Sequence, residues 1–84
     1  MAKYPIVEVV WLDFETHGET GWNELKHQLN YAKKPPLKMK TVGYLVHECE
    51  THISLLSTIG DEESSALDKI PRGMIEEITT YSEE

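Results

Sequence analysis

Ile6 to Phe14 limits the fold more than any other segment. As an extended strand it carries apolar side chains on both faces, Val7, Val9 and Trp11 on one and Val10, Leu12 and Phe14 on the other. Such a strand needs cover on both sides. One face belongs in a core and the other against a helix or a neighbouring subunit, with Glu8 on a wet part of that second face. With 84 residues to supply the cover, the chain reads as a single small domain, 1–84. A domain of that size buries roughly 63% of its unfolded surface, a modest core that self-association would extend.

Helical spacing stands out in one place. Trp22, Leu25, Leu29 and Ala32 recur at intervals of three, four and three, predicting an amphipathic helix over 22–32 that lays Trp22, Leu25 and Leu29 against the sheet. The loop His17-Gly18-Glu19-Thr20-Gly21 precedes it, with Thr20 or Gly21 as cap, and Lys33, Lys34 and Pro35-Pro36 end it. From Leu37 the period returns to two, with Met39, Thr41, Gly43, Leu45 and His47 on one phase and Val42, Tyr44 and Val46 on the other. Glu48-Cys49-Glu50-Thr51 predicts a hairpin turn into a strand at His52 to Ile59, and Gly60 to Ser65 a hydrated loop. Ala66 to Pro71 and Met74 to Tyr81 read as two more strands around an Arg72-Gly73 turn. Ile75, Ile78 and Tyr81 also have helical spacing, so a terminal helix competes, and the run Thr79-Thr80-Tyr81 favours the strand. Residues 82–84 are expected to fray.

The result is mainly β: five strands with one short helix inserted after the first, joined by loops too short for parallel crossovers. These close most economically as a bent antiparallel barrel, which also protects the strand edges.

The second half resembles the Sm-like small-barrel family. The likeness lies in Gly43, Leu45 and Val46, the polar turn Glu48 to Thr51, then Ile53, Leu55 and Leu56, and in the closing stretch Ile70-Pro71-Arg72-Gly73-Met74-Ile75-Glu76-Glu77-Ile78. It spans about residues 37–81, with an SH3-like barrel as the nearest alternative fold. The chain is also similar to small uncharacterised proteins of tailed bacteriophages, through the tryptophan-bearing first strand, Val42-Gly43-Tyr44-Leu45 and Ile70-Pro71-Arg72-Gly73. The family resemblance implies RNA binding as an activity. It also implies a ring in which the fourth strand of one copy pairs with the fifth of the next, giving an oligomer seam at Ile70, Pro71, Arg72, Gly73, Ile75 and Ile78.

Charge narrows the partners. Fifteen acidic residues against eight basic ones give a net charge of -7, which disfavours nucleic acid and anionic membranes. The imbalance is local: residues 1–40 carry five acids and six bases, residues 41–84 ten acids and two bases. Cys49 stands alone, so neither an intrachain disulfide nor a four-thiolate zinc site can form, and a reducing compartment suits the chain. With no signal-peptide core or membrane-length apolar run, a cytoplasmic location is expected, in the host cytoplasm if the protein is phage-encoded.

His17, His27, His47 and His52 lack the spacing of a zinc-protease helix or zinc finger. His47, Cys49 and His52 come nearest to a ligand set: His47 and Cys49 share a strand phase and a turn can bring His52 opposite them, which makes soft-metal binding geometrically feasible, but they fall one donor short of a closed tetrahedral site; ordinary strand-end surface is the expectation, with no metal and no cofactor. His17 beside Asp13 and Glu15 lacks a nucleophile, Cys49 with His47 lacks an attack geometry, and there is no phosphate-binding glycine loop, so no enzyme is expected. Two functional expectations remain. The first is a noncatalytic, self-associating protein that binds another macromolecule, as a phage accessory protein would. The alternative is binding of RNA, single-stranded DNA or a small nucleotide through Lys38, Lys40, Tyr44 and Arg72, although the lysines equally serve to protect an edge strand.

Overall fold

The computed structural model describes residues 3–83, with side chains described up to Tyr81. The chain runs β1 (Pro5–Asp13), α1 (Leu25–Ala32), β2 (Leu37–Glu48), β3 (His52–Leu56), β4 (Leu67–Pro71), a 3-10 turn (Arg72–Met74) and β5 (Ile75–Glu83). The five strands form one antiparallel sheet in the order β4-β3-β2-β1-β5. Residues 75–81 are therefore strand and not helix. β5 runs to Glu83, which pairs with Pro5, so it enters the stretch expected to fray; Glu84 lies outside the described residues.

One face of the sheet holds the core. Val7 and Val9 of β1, Ile53 and Leu55 of β3 and Ile70 of β4 are buried, and Trp11, Leu45, Ile75 and Ile78 pack around them. Alternation places these side chains on a common face, and Trp11 keeps its indole N–H satisfied by donating to Thr41 Oγ1 at 2.9 Å. Gly43 lets β2 pass close to β3: a Cβ there would lie 2.9 Å from the Leu56 carbonyl oxygen.

The expected barrel, Sm-like or SH3-like, is not what forms. β4 and β5 are the two edges of an open sheet and do not pair with each other among the described residues. The three residues Arg72–Met74 span at most about 11 Å, so the two edges are tied at that corner without pairing beyond it. The molecule measures 55 × 23 × 20 Å with a radius of gyration of 17.2 Å. A compact domain of this length would have a radius near ~12 Å.

The elongation has a clear origin. β1 and β2 stay paired to Asp13↔Leu37, whereas β5 accompanies β1 only as far as Trp11↔Ile75. The excursion 14–36 therefore leaves from the free end of a two-stranded ribbon and projects away from the core. α1 has no buried residue, so it does not lie over the sheet as its apolar spacing predicts. It also begins at Leu25, three residues later than expected. Asn23 holds the start back: its side chain accepts from Glu19 N–H and donates to the Glu19 carbonyl, closing a compact turn that keeps Trp22 outside the helix.

Candidate functional site

Two places on the molecule carry side chains that the core does not use. The first is the projecting arm. Tyr31 OH donates to Glu15 Oε2 at 2.7 Å, Gln28 Nε2 donates to the His17 carbonyl at 2.8 Å, and the His17 and Tyr31 rings stack at 3.6 Å. The Glu15 carboxylate, as acceptor of that hydrogen bond, holds the Tyr31 phenol above its ordinary value. These contacts fasten one side of α1 to the loop before it and leave the apolar residues outside. Phe14 is 80% exposed, Trp22 103%, Leu25 69% and Leu29 55%. Leu25 and Leu29, four apart, share one helix face. The arm carries three acids, Glu15, Glu19 and Glu24, and three bases, Lys26, Lys33 and Lys34, so it is electrically neutral in a strongly acidic chain.

The second place is the turn between β2 and β3. Val46 is the extra residue of a β-bulge, because Leu45 pairs with Leu55 but His47 pairs with Ser54. Strict alternation would keep His47 on the face of Leu45. The bulge turns it to the face of Ser54, which is also that of His52 two residues away, and the two imidazoles come to lie 5.5 Å apart between centroids. Cys49 N–H donates to the His52 carbonyl at 3.0 Å, closing the turn, and Arg72 Nε donates to the Cys49 carbonyl at 2.9 Å, tying the turn to the 3-10 corner. Cys49 Sγ lies 3.3 Å from Thr51 Oγ1 and 3.5 Å from His52 Nδ1. Hydrogen bonding from the Thr51 hydroxyl, then from backbone N–H groups and His47, lowers the Cys49 thiol from 9.0 to about 6.

The residues singled out from sequence for ligand binding are largely engaged within the chain. Lys38 Nζ is 3.1 Å from Glu76 Oε1, and the Arg72 guanidinium, besides its bond to the Cys49 carbonyl, lies 3.9 Å from Glu48 Oε2. Lys40 is exposed on β2, and Tyr44 is half-buried between Ile6 and Leu56 in the sheet. Of the expected seam residues, Ile70 belongs to the buried core and Ile75 and Ile78 pack against it. Pro71 pairs with His52 at the end of β4, and Arg72 and Gly73 form the corner. His17 lies in the arm, remote in role from the His47–Cys49–His52 turn.

Sequence spacing singles out His47, Cys49 and His52 and allows a turn to bring His52 opposite the other two, but it leaves the change of face at His47 and the exposure of the arm unread. The bulge at Val46 follows from tertiary pairing, and a helical apolar stripe carries no mark of whether anything covers it.

Comparison of the chain with models of protein families, with curated proteins and with solved structures finds no match. The resemblance to the Sm-like family and to tailed-phage proteins is corrected accordingly. Its motifs were alternating apolar residues around a glycine, a polar turn and an Ile-Pro-Arg-Gly corner, local features that open antiparallel sheets also use, and what survives is the sheet topology. Among the described residues no helix is long and apolar enough to cross a membrane.

Proposed function

We propose that this is a noncatalytic interaction protein that self-associates through its arm and, in that assembled form, engages a further macromolecule. The exposure of Phe14, Trp22, Leu25 and Leu29 on one neutral excursion carries the reading. Side chains of this size present on the order of 600 Å² per copy. Two copies burying that area approach the ~1,200 Å² at which stable interfaces begin. A second copy fits the arm better than a basic partner does, because the arm has no net charge to attract one, while the acidic surface lies in residues 41–84. The sheet edges are weaker candidates for the same task. β4 is five residues long and carries Asp68, Lys69 and Pro71, and β5 carries Glu76 and Glu77, all features that discourage edge-to-edge pairing. The free thiol of Cys49 accords with action in a reducing compartment such as the cytoplasm.

Light scattering coupled to size exclusion tests the reading. The wild-type chain should show a mass above 9.6 kDa that rises with concentration, and Trp22→Ser combined with Leu29→Asp should return it to monomer with an unchanged circular-dichroism spectrum. A wild-type chain that stays monomeric at every concentration overturns the proposal.

A further inference from the structure

We propose that His47, Cys49 and His52 form a three-ligand site for a divalent transition-metal ion of borderline softness, with zinc as its occupant, on the turn between β2 and β3. Their ligand atoms all lie within 4.8 Å of one another. Around a tetrahedral zinc with Zn–N of about 2.0–2.1 Å and Zn–S of about 2.3 Å, neighbouring donors sit roughly 3.3–3.7 Å apart. Cys49 Sγ and His52 Nδ1, at 3.5 Å, already have that separation. Drawing His47 in requires a shift of up to about 1.5 Å, which an exposed imidazole supplies by side-chain rotation.

The site is assembled by three independent features of the fold. The bulge at Val46 brings His47 to the face of His52, the short turn places Cys49 between them, and the Arg72 bond to the Cys49 carbonyl anchors the turn from outside. Two imidazoles and one thiolate suit zinc, cobalt or copper and not magnesium or calcium, which take oxygen donors. Zinc imposes no geometry of its own, so a turn that contributes three donors accommodates it with a fourth, exchangeable position left to water or to a group from a partner. The surroundings favour a cation: Glu50 lies in the turn itself, residues 41–84 carry ten acids against two bases, and one of those bases, Arg72, is engaged by Glu48. Cys49 and His52 are half-buried and His47 is exposed, so the position is open to entry from solvent. In the metal-free chain Thr51 Oγ1 lies 2.8 Å from His52 Nδ1, so coordination through that nitrogen replaces the Thr51 contact and leaves Nε2 to carry the ring's proton.

The test is a cobalt(II) titration of the reduced, metal-stripped chain, followed by displacement with zinc. One cobalt should bind per chain and produce the thiolate-to-cobalt charge-transfer band together with the intense visible bands of a tetrahedral site, all of them lost when zinc is added. Cys49→Ser should abolish the charge-transfer band. His47→Ala and His52→Ala should each weaken binding by more than the roughly 10- to 100-fold that loss of an outer partner brings. His27→Ala, on α1, should leave the titration unchanged. Circular dichroism confirms that each variant is folded, and because three different substitutions report on one site, a single misfolded variant leaves the outcome decided by the others. Absence of the charge-transfer band in the wild-type chain overturns the proposal, as does binding of equal strength in Cys49→Ser and His52→Ala.

Discussion

Gly43 and Gly73 show how the same residue type answers to different constraints. At Gly43 a methyl group would sit 2.9 Å from the Leu56 carbonyl oxygen, an approach that neither strand can relieve without moving backbone. Gly43→Ala should therefore destabilise the fold by about 1–3 kcal/mol, read as a lower denaturation midpoint. Gly73 has open space where a Cβ would go, and it is not among the glycines with positive φ. Gly73→Ala should be neutral or stabilising by about 0.4–1 kcal/mol, because it restricts the unfolded chain without crowding the folded one. Cys49 supplies the pH-dependent prediction at this scale. In the metal-free chain its thiol ionises near 6 and not 9.0, so alkylation should be slow below that pH, where the thiol is protonated, and reach its plateau by neutrality. The Thr51 hydroxyl is the largest cause of the shift, so Thr51→Val should move the midpoint of the alkylation profile upward. An identical profile in the variant would count against that account.

The elements differ sharply in what they contribute. Ile53 is fully buried in β3, and Ile53→Ala should cost about 2–5 kcal/mol, whereas Leu25→Ala on α1 should change stability by no more than about 0.5 kcal/mol. The arm as a whole should be dispensable for folding. Asp13 and Leu37 face each other across β1 and β2, so a two-residue Asn-Gly turn can replace 14–36 and close the ribbon directly. The shortened chain should unfold at nearly the same denaturant concentration as the full one and should be monomeric where the full chain associates; loss of cooperative unfolding would place the arm in the core. β5 explains why a strand can carry a helical period. Ile75 pairs with Trp11 and Ile78 with Val9, with a bulge between, so two residues three apart face the same core. A second bulge takes up Tyr81 between Thr80↔Val7 and Ser82↔Ile6. The spacing that suggests a helix is the signature of an irregular strand.

For the whole molecule, shape and charge act on association in opposite directions. The arm holds its apolar residues away from the body, and the body carries the whole net charge of -7. Copies that meet through the arms still repel through their acidic surfaces, and salt screens that repulsion. Self-association should therefore strengthen as sodium chloride is raised, measured by sedimentation at fixed protein concentration. Binding of a nucleic acid through Lys38, Lys40 and Arg72 would respond with the opposite sign, weakening as salt rises. The two salt responses separate the readings without knowledge of a partner.

What the amino-acid sequence by itself determined is local. Alternation and turn residues set the strands, because a period of two and a polar or glycine-bearing break act within a few residues. The single cysteine and the acidic second half bounded the chemistry in the same direct way. Tertiary structure alone decided the rest. Whether five strands close depends on how far β4 and β5 diverge after the Arg72–Met74 corner, and that is a matter of accumulated twist and bulges. Whether α1 covers the sheet depends on where its excursion leaves the ribbon, which places Leu25 and Leu29 beyond reach of the core despite their amphipathic spacing. The turn that can bring His52 opposite His47 is legible in the sequence, but the face that His47 takes is not. One extra residue at Val46 reverses the face of a side chain, and that insertion exists only once two strands have paired.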